Sequence, residues 1–580
     1  MKRLMTGNQA IARGAFEAGV TVASAYPGTP STEIIETMAT YPEIYAEWST
    51  NEKVALEVGI GASIGGARAL VAMKHVGVNV AADPLFTFSY TGVNGGLVLV
   101  SAGDPGMHSS QNEQDNRNYA KFAKIPVLEP SDSQECKDFV LLAFQLSEQF
   151  DTPVMVRTTT RVAHGQSLVT LGERQEGLLK DYEKNPPKYV MLPGYGRQRH
   201  PVVEDRRKAL AAYNETAPVN RIEWGDKRIG VITSGVVYQY VKEALPEASV
   251  LKLGMTFPLP QQLIKDFAGQ VEKLYVIEEL EPFLEEQIRA WGIEVVGKEL
   301  FPRIGELSPE LIGAKLGDWQ QEAAVAAEVP NRPPVLCPGC PHRGVYYVIN
   351  RLKLTVSGDI GCYTLGATPP LSAMDTCICM GASISGALGL EKARGKEFAR
   401  KLVAVIGDST FLHSGITGLL DVVYNGGTFT TLILDNSTTA MTGHQEHPGT
   451  GCRVDHTPAP AVDLEQLVRS LGVKRVRTVD PYDLAEVERV LKEETAAEEA
   501  SVVIAKRPCV LLKGHQPTGG PVRVDESLCT ECGRCRRLGC PALVFKTAKP
   551  SVDTTLCNGC GQCVQVCRFN ALVKEGEAND

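Results

Sequence analysis

The sequence predicts an α/β protein of several domains: two doubly wound parallel-sheet domains, a smaller α/β domain and a short C-terminal module built around cysteines. Three observations predict it. Strand-like apolar runs followed by glycine-rich turns and helical patterns recur from residue 18 to residue 165. The same rhythm returns twice further along the chain. Eight cysteines then crowd the stretch from Cys529 to Cys567. A chain of 580 residues has room for about four domains of roughly 150 residues each.

In the first unit, residues 1–165, strands are expected at Val20 to Ala25, Ala69 to Met73, Leu97 to Ser101 and Pro153 to Arg157. Residues 166–225 are charged, proline-bearing and weakly periodic, so they read as a connecting segment. The smaller unit, 226–305, offers Ile229 to Thr233 as a strand, Tyr238 to Leu245 as a helix and Lys273 to Glu279 as a later strand. The third unit, 306–512, contains a proline-rich break at Pro330 to Pro334, after which its α/β pattern begins. Residues 513–521 form a glycine and proline linker to the cysteine module, 522–580. Nine residues span at most roughly 30 Å, so that module docks close to the third unit. Gly61 to Ala67 matches Gly381 to Ala387 at six of seven positions, which suggests an internal repeat unless small-residue helices produced it by chance.

Composition narrows the partners. Hydrophobic residues at 43% suffice for ordinary cores, and a net charge of -9 with no basic runs leaves no electrostatic footprint for nucleic acid or a membrane surface. No apolar stretch approaches the roughly 20 residues of a spanning helix, and Met1-Lys2-Arg3 leads into Gly7-Asn8-Gln9 rather than an apolar secretory core. A cytoplasmic, reducing and anaerobic setting is expected.

The terminal cysteines fall into two runs, Cys529-x2-Cys532-x2-Cys535-x4-Cys540-Pro541 and Cys557-x2-Cys560-x2-Cys563-x3-Cys567. Such a run wraps three corners of a 4Fe-4S cube, and in two-cluster ferredoxins the fourth cysteine of each run serves the other cube. That assigns Cys529, Cys532, Cys535 and Cys567 to one centre, and Cys557, Cys560, Cys563 and Cys540 to the second. Structural zinc is the alternative, but a zinc site is complete with four ligands and has no use for interleaved runs. The module therefore moves single electrons.

In the third unit, Lys401 to Ile406 is a strand that runs into Gly407-Asp408-Ser409, a helix follows from His413 to Tyr424, and a second strand, Thr430 to Leu434, ends at Asp435-Asn436-Ser437. One βαβ unit brings Asp408 and Asn436 to the same carboxyl edge of the sheet, where oxygen donors suit Mg2+ holding a diphosphate. Two ordinary polar turns would look the same.

Gly407-Asp408, with Asn436 28 residues after the aspartate, resembles the thiamine diphosphate signature, with Ser409 and Ser437 in place of its usual glycine and second asparagine. Together with Tyr26-Pro-Gly-Thr-Pro-Ser31, Cys337-Pro-Gly-Cys-Pro-His342, Met441-Thr-Gly-His-Gln445 and the x4 spacing before Cys540, almost the whole chain is similar to the thiamine-dependent 2-oxoacid:ferredoxin oxidoreductases, specifically to alpha subunits of the indolepyruvate branch. The resemblance implies that the first unit binds the aminopyrimidine ring of thiamine diphosphate, that the third binds its diphosphate, and that 226–305 is a transketolase C-terminal-like domain. It implies Mg2+ ligation by Asp408, Asn436 and the Thr438 carbonyl. Gly407, Ser409, Gly381, Thr29 and Met441 would line the cofactor, with Ser31 beside Thr29. Glu52 would be the activating glutamate, holding a proton toward the pyrimidine ring. His75 and Asn112 are weaker candidates, because lone polar residues in such loops usually satisfy backbone groups.

Related enzymes also hold a cluster on a Cys-Pro-Gly-Cys pair and two later cysteines, a layout that Cys337, Cys340, Cys362 and Cys509 reproduce. A third 4Fe-4S cluster and a set of buried free thiols both remain open. The expected reaction is oxidative decarboxylation of an aryl-2-oxoacid, indolepyruvate or phenylpyruvate, with coenzyme A, passing electrons through the clusters to ferredoxin. A separate smaller beta subunit is the expected partner, in an αβ pair that dimerises. Pyruvate or a branched 2-oxoacid is the alternative substrate, and a non-catalytic electron-transfer subunit is the alternative of another class.

Overall fold

Apolar runs without polar alternation suit parallel strands, because a strand covered by helices on both faces has no solvent side. The computed structural model describes residues 1–176, 179–317, 319, 333–515, 517 and 519–574, and the chain divides into two compact units, 1–327 and 328–580. Of the proline-rich break, residues 330–332 lie outside the described residues, as do 516 and 518 of the linker.

The first unit carries a seven-stranded sheet in the order Met255–Phe257, Val127–Leu128, Val154–Thr159, Leu97–Gly103, Ala69–Lys74, Val22–Ala25 and Tyr45–Trp48. Every neighbouring pair is parallel except the first. A second, four-stranded sheet runs Lys273–Ile277, Asp226–Ser234, Ala248–Leu253, Arg221–Glu223, with only the last strand antiparallel. Val71, Leu99 and Met155 from one sheet and Ile232, Leu251 and Val276 from the other share one core.

The second unit is built on six parallel strands in the order Thr376–Cys377, Thr355–Gly358, Leu402–Gly407, Thr430–Asp435, Ser501–Lys506 and Arg475–Val479. Two small antiparallel pairs, Val522–Val524 with Leu572–Lys574 and Leu543–Val544 with Ser551–Val552, frame the cysteine module. Leu538, Val566 and Leu572 of that module are buried in the same core as Val345, Tyr346 and Leu484. The module thus packs directly on the sheet domain of its own unit.

Six strands of the first large sheet, taken in chain order from Val22–Ala25 to Val154–Thr159, have the same spatial order as the six of the second unit. The internal repeat is one of topology. In each, a helix joins the second strand to the third: Glu52–Ile64 in the first unit and Ala382–Arg394 in the second. The matched heptapeptides are not equivalent, since Gly61 lies in the last turn of its helix whereas Gly381 caps the start of the other.

Three expectations need correction. Residues 166–225 are not simply a connector: Gln166–Thr170 pairs with Lys2–Thr6, and Pro193–Asn214 is a 22-residue helix. Hydrophobic periodicity missed that helix because its inward face works through polar groups. Arg206 donates to the Ser89 carbonyl, Arg199 to those of Tyr90 and Thr91, and Asn214 to those of Met255 and Pro258. Pro309–Leu316, read with the third unit, instead puts Ile312 into a core with Val237 and Val241 of the smaller domain. The helix expected from His413 already begins at Asp408–Thr410, passes through a π turn at Phe411–Gly415 and becomes regular at Ile416–Tyr424.

Candidate functional site

In open parallel sheets ligands sit outside the carboxyl ends of the strands, at the point where strand order reverses. In the first unit the reversal falls between Val22–Ala25 and Ala69–Lys74. The turn Gly28 to Ser31 follows the former, and Ser31 Oγ donates to the Gly28 carbonyl at 2.8 Å. Thr29 is half-buried there, and its carbonyl lies 3.5 Å from Ser109 Oγ. After the latter strand come His75, which is fully buried with Nε2 3.2 Å from the Asn112 carbonyl, and Gly77. Asn112 thus serves His75 through its backbone.

Glu52 opens the helix Glu52–Ile64, whose amino end Asn51 caps by accepting from the Val54 amide at 2.9 Å. Its carboxyl is buried against Gly77, where a Cβ would stand 2.8 Å from Glu52 Oε1 and 2.7 Å from Cγ. The glycine is what makes room for the glutamate. Lys74 was not singled out by the sequence, yet its Nζ donates to the Ser109 carbonyl at 2.7 Å at this same edge. Burial, against the attraction of Asp104, holds its pKa down to about 8.

The second unit reverses between Thr355–Gly358 and Leu402–Gly407, and an aspartate follows each strand. Asp359 closes the amino end of Ala382–Arg394, accepting from the Gly381 amide at 2.9 Å and the Ser383 amide at 3.0 Å. Gly381 therefore offers no free amide; it is a glycine with φ +87° because a Cβ would meet Ser414 Cβ at 2.5 Å. Asp408 accepts from the Ser409 amide at 2.9 Å through Oδ1 and from the Ser437 amide at 2.8 Å through Oδ2, and His447 Nε2 stands 3.3 Å from Oδ2. Gly407 lies under the Tyr363 ring, 2.7 Å from where its Cβ would be. Ser409 Oγ is 2.8 Å from Thr439 Oγ1, and Met441 is half exposed.

One arm of the Asn436 amide sits 2.7 Å from the Thr438 carbonyl oxygen and 3.3 Å from Asp408 Oδ1. With oxygen in that arm, its nitrogen faces His342 Nε2 at 3.5 Å, and three oxygens converge with no proton between them. With nitrogen there, the amide would simply donate to both. A hard divalent cation makes the oxygen orientation favourable, and carboxylate, amide and carbonyl oxygens are the donors Mg2+ takes. The residues present fit the ion.

Twelve of the fifteen thiols of this unit fall into three groups. Cys529, Cys532, Cys535 and Cys567 line one pocket, with Phe569 and Leu572. Burial, then the nearby thiols of Cys560, Cys540 and Cys557, push the Cys563 thiol up. Burial, followed by Cys509 and Cys337, pushes Cys362 up to about 11, and burial with Cys337 and Cys362 among its neighbours takes Cys340 to about 12. Among the described residues no three His, Cys, Asp or Glu side chains close on a point as the ligands of one ion do. Thiols spread around a cavity suit the corners of a cluster, and iron would displace protons that burial otherwise holds in place.

Comparison with known proteins adds the lineage. Residues 359–505 match the family model of the thiamine pyrophosphate enzyme C-terminal TPP-binding domain, 13–221 that of the pyruvate flavodoxin/ferredoxin oxidoreductase thiamine diphosphate-binding domain, and 550–573 that of the 4Fe-4S binding domain. The indolepyruvate oxidoreductase subunit IorA of Archaeoglobus fulgidus is 43% identical over 617 residues, covering 100% of this chain and 98% of its own. The chain belongs to the IorA family. The Pyrococcus horikoshii IorA is 44% identical, over 99% of this chain and 98% of its own. The 2-oxoglutarate synthase subunit KorA of Methanothermobacter marburgensis matches at 29%, over 52% of this chain and 93% of its own. Membership in the IorA family makes this chain an oxidoreductase subunit with thiamine diphosphate-binding and 4Fe-4S domains. No helix among the described residues is long and apolar enough to cross a membrane.

Proposed function

We propose that the chain is the thiamine- and cluster-bearing subunit of an enzyme that oxidatively decarboxylates aryl-2-oxoacids such as indolepyruvate and phenylpyruvate. The balance is R-CO-COO- plus coenzyme A giving R-CO-S-CoA, CO2, one proton and two electrons, which leave singly for ferredoxin. Thiamine diphosphate, when bound, supplies a nucleophilic carbon and stabilises the negative charge left as CO2 departs.

The chain's own residues divide the remaining work. Asp408 Oδ1, Asn436 Oδ1 and the Thr438 carbonyl would hold Mg2+ and so anchor the diphosphate. Glu52, its carboxyl lodged against Gly77, would hold a proton toward the pyrimidine ring nitrogen, with Thr29 and Ser31 in the turn at the same sheet edge. Two 4Fe-4S clusters, on Cys529, Cys532, Cys535 and Cys567 and on Cys540, Cys557, Cys560 and Cys563, would carry electrons outward, with a third on Cys337, Cys340, Cys362 and Cys509. A smaller beta subunit would complete the enzyme, as the word subunit in the relatives' names suggests.

The observation that carries this reading is the meeting of the Asp408 carboxylate, the Asn436 amide and the Thr438 carbonyl at the carboxyl edge of the sheet, because with the amide oxygen turned inward they offer the oxygen donors that Mg2+ takes. Calorimetry tests it: thiamine diphosphate should bind in the presence of Mg2+ and lose that affinity with EDTA or in Asp408→Asn. Binding indifferent to both would overturn it.

A further inference from the structure

Arg343 is fully inside the protein, 2% exposed, in the first turn of the helix Pro341–Leu352 that follows the Cys337-Pro-Gly-Cys340 loop. Its guanidinium donates to four backbone carbonyls. Nη2 reaches those of Leu336 and Cys337, the latter at 3.3 Å, and Nη1 reaches those of Leu538, at 3.1 Å, and Gly539. One pair belongs to the loop of Cys337 and the other to the residues just before Cys540. One cation thus spans two cysteine loops about 200 residues apart in sequence.

A buried arginine ordinarily has a carboxylate beside it, because an unpaired charge away from water is costly. The titratable groups nearest Arg343 are instead the thiols of Cys540, Cys340, Cys337 and Cys560, which become negative only when they ligate iron, while burial works against its charge. Other contacts make the same join. Asn558 Nδ2 donates to the Pro338 carbonyl at 3.0 Å and Gln562 Nε2 to the Cys340 carbonyl at 3.2 Å, both from between the cysteines of the second ferredoxin run. Gly339, at φ +73°, is glycine for this reason, since a Cβ would fall 2.0 Å from Asn558 Nδ2.

We propose that Arg343 is the positioning and potential-setting residue at the junction between the Cys337/Cys340 site and the ferredoxin cluster of Cys540, Cys557, Cys560 and Cys563. The proposal rests on the reading that these thiols carry clusters. An electron arriving on either cluster adds negative charge beside a cation that water does not screen, so reduction there is favoured over reduction of the cluster on Cys529, Cys532, Cys535 and Cys567. The four carbonyl bonds fix the two cysteine loops against each other while it acts.

The test uses the full chain, purified anaerobically with its clusters, comparing the unaltered protein with Arg343→Gln and Arg343→Lys for iron content and for midpoint potentials by redox titration followed by paramagnetic resonance. Arg343→Gln should keep its iron and make reduction of the junction cluster about tenfold less favourable, a fall of about 59 mV for one electron. Arg343→Lys, which keeps the charge, should recover most of that shift. Iron lost from Arg343→Gln but retained in Arg343→Lys also supports a requirement for the charge. An unchanged potential with full iron in Arg343→Gln, an equal shift in both variants, or iron lost from both would overturn the proposal. Failure of the underlying reading shows separately, as about eight irons or fewer in the unaltered chain.

Discussion

The Cys509 amide donates to the Asn436 carbonyl at 2.9 Å. The residue whose side chain faces Thr438 and Asp408 in the candidate cation site therefore also holds, through its backbone, a thiol of the third cysteine group. Carbon chemistry at a diphosphate and the first step of electron removal would meet where two paired strands, Thr430–Asp435 and Ser501–Lys506, end. Such proximity suits an oxidation divided into single electrons, because each must leave before the next follows.

Cys509→Ala should lower iron from about twelve to about eight per chain while the resonance signals of the two ferredoxin centres persist. Iron analysis beside paramagnetic resonance checks it. Twelve irons in the variant would remove Cys509 as a ligand.

Glu52→Gln is expected to reduce turnover at least about hundredfold, the lower range for loss of a positioned proton-transfer group. The ferredoxin centres should still be reducible by dithionite. Steady-state rates and resonance spectra on one preparation separate the two effects.

Gly77→Ala reaches the same carboxyl from the other side. The new methyl would stand 2.7 Å from Glu52 Cγ, so the glutamate must move or the helix His75–Val80 must shift. Overpacking of this kind costs about 1–3 kcal/mol, and turnover should fall with the displaced carboxyl. Urea unfolding and kcat measure the two parts; a fully active, equally stable variant would show that Gly77 is not shaped around Glu52.

Burial, and then the Lys74 charge, hold the His75 pKa down to about 4 from an ordinary 6.5. Between those values the folded state binds fewer protons than the unfolded one. Its contribution to stability is therefore complete above about pH 6.5 and is lost as pH falls through about 4. The first unit should lose about 2 kcal/mol between pH 7 and pH 5 from this group alone, and His75→Gln should remove that part of the slope. Denaturant titrations at the two pH values, with the imidazole followed by NMR, measure it.

What was legible in the sequence was whatever chemistry writes into local spacing. Two interleaved cysteine runs stand out by their spacing alone, and Cys529, Cys532, Cys535 and Cys567 line one pocket. Asp408 and Asn436 were legible because one βαβ unit brings both strand ends to the same edge. Gly77 was not, since a glycine that shelters a carboxyl 25 positions earlier leaves no local mark. Arg343 was hidden for a similar reason: its partners are backbone carbonyls, which every sequence has. The helix Pro193–Asn214 escaped because arginine and asparagine face inward where periodicity looks for aliphatic residues. The repeat of two sheet domains was glimpsed through a heptapeptide that turns out to be out of register, while the true correspondence lies in strand order.

Substrate choice is decided by an anaerobic assay of the chain with its beta subunit, coenzyme A and ferredoxin, comparing initial rates of ferredoxin reduction on indolepyruvate, phenylpyruvate and pyruvate. An aryl-2-oxoacid enzyme should show coenzyme A-dependent reduction with both aryl substrates at a kcat/KM roughly a hundredfold above that for pyruvate. Equal or faster reduction with pyruvate, or none with any 2-oxoacid in a preparation holding thiamine diphosphate and full iron, would contradict that reading.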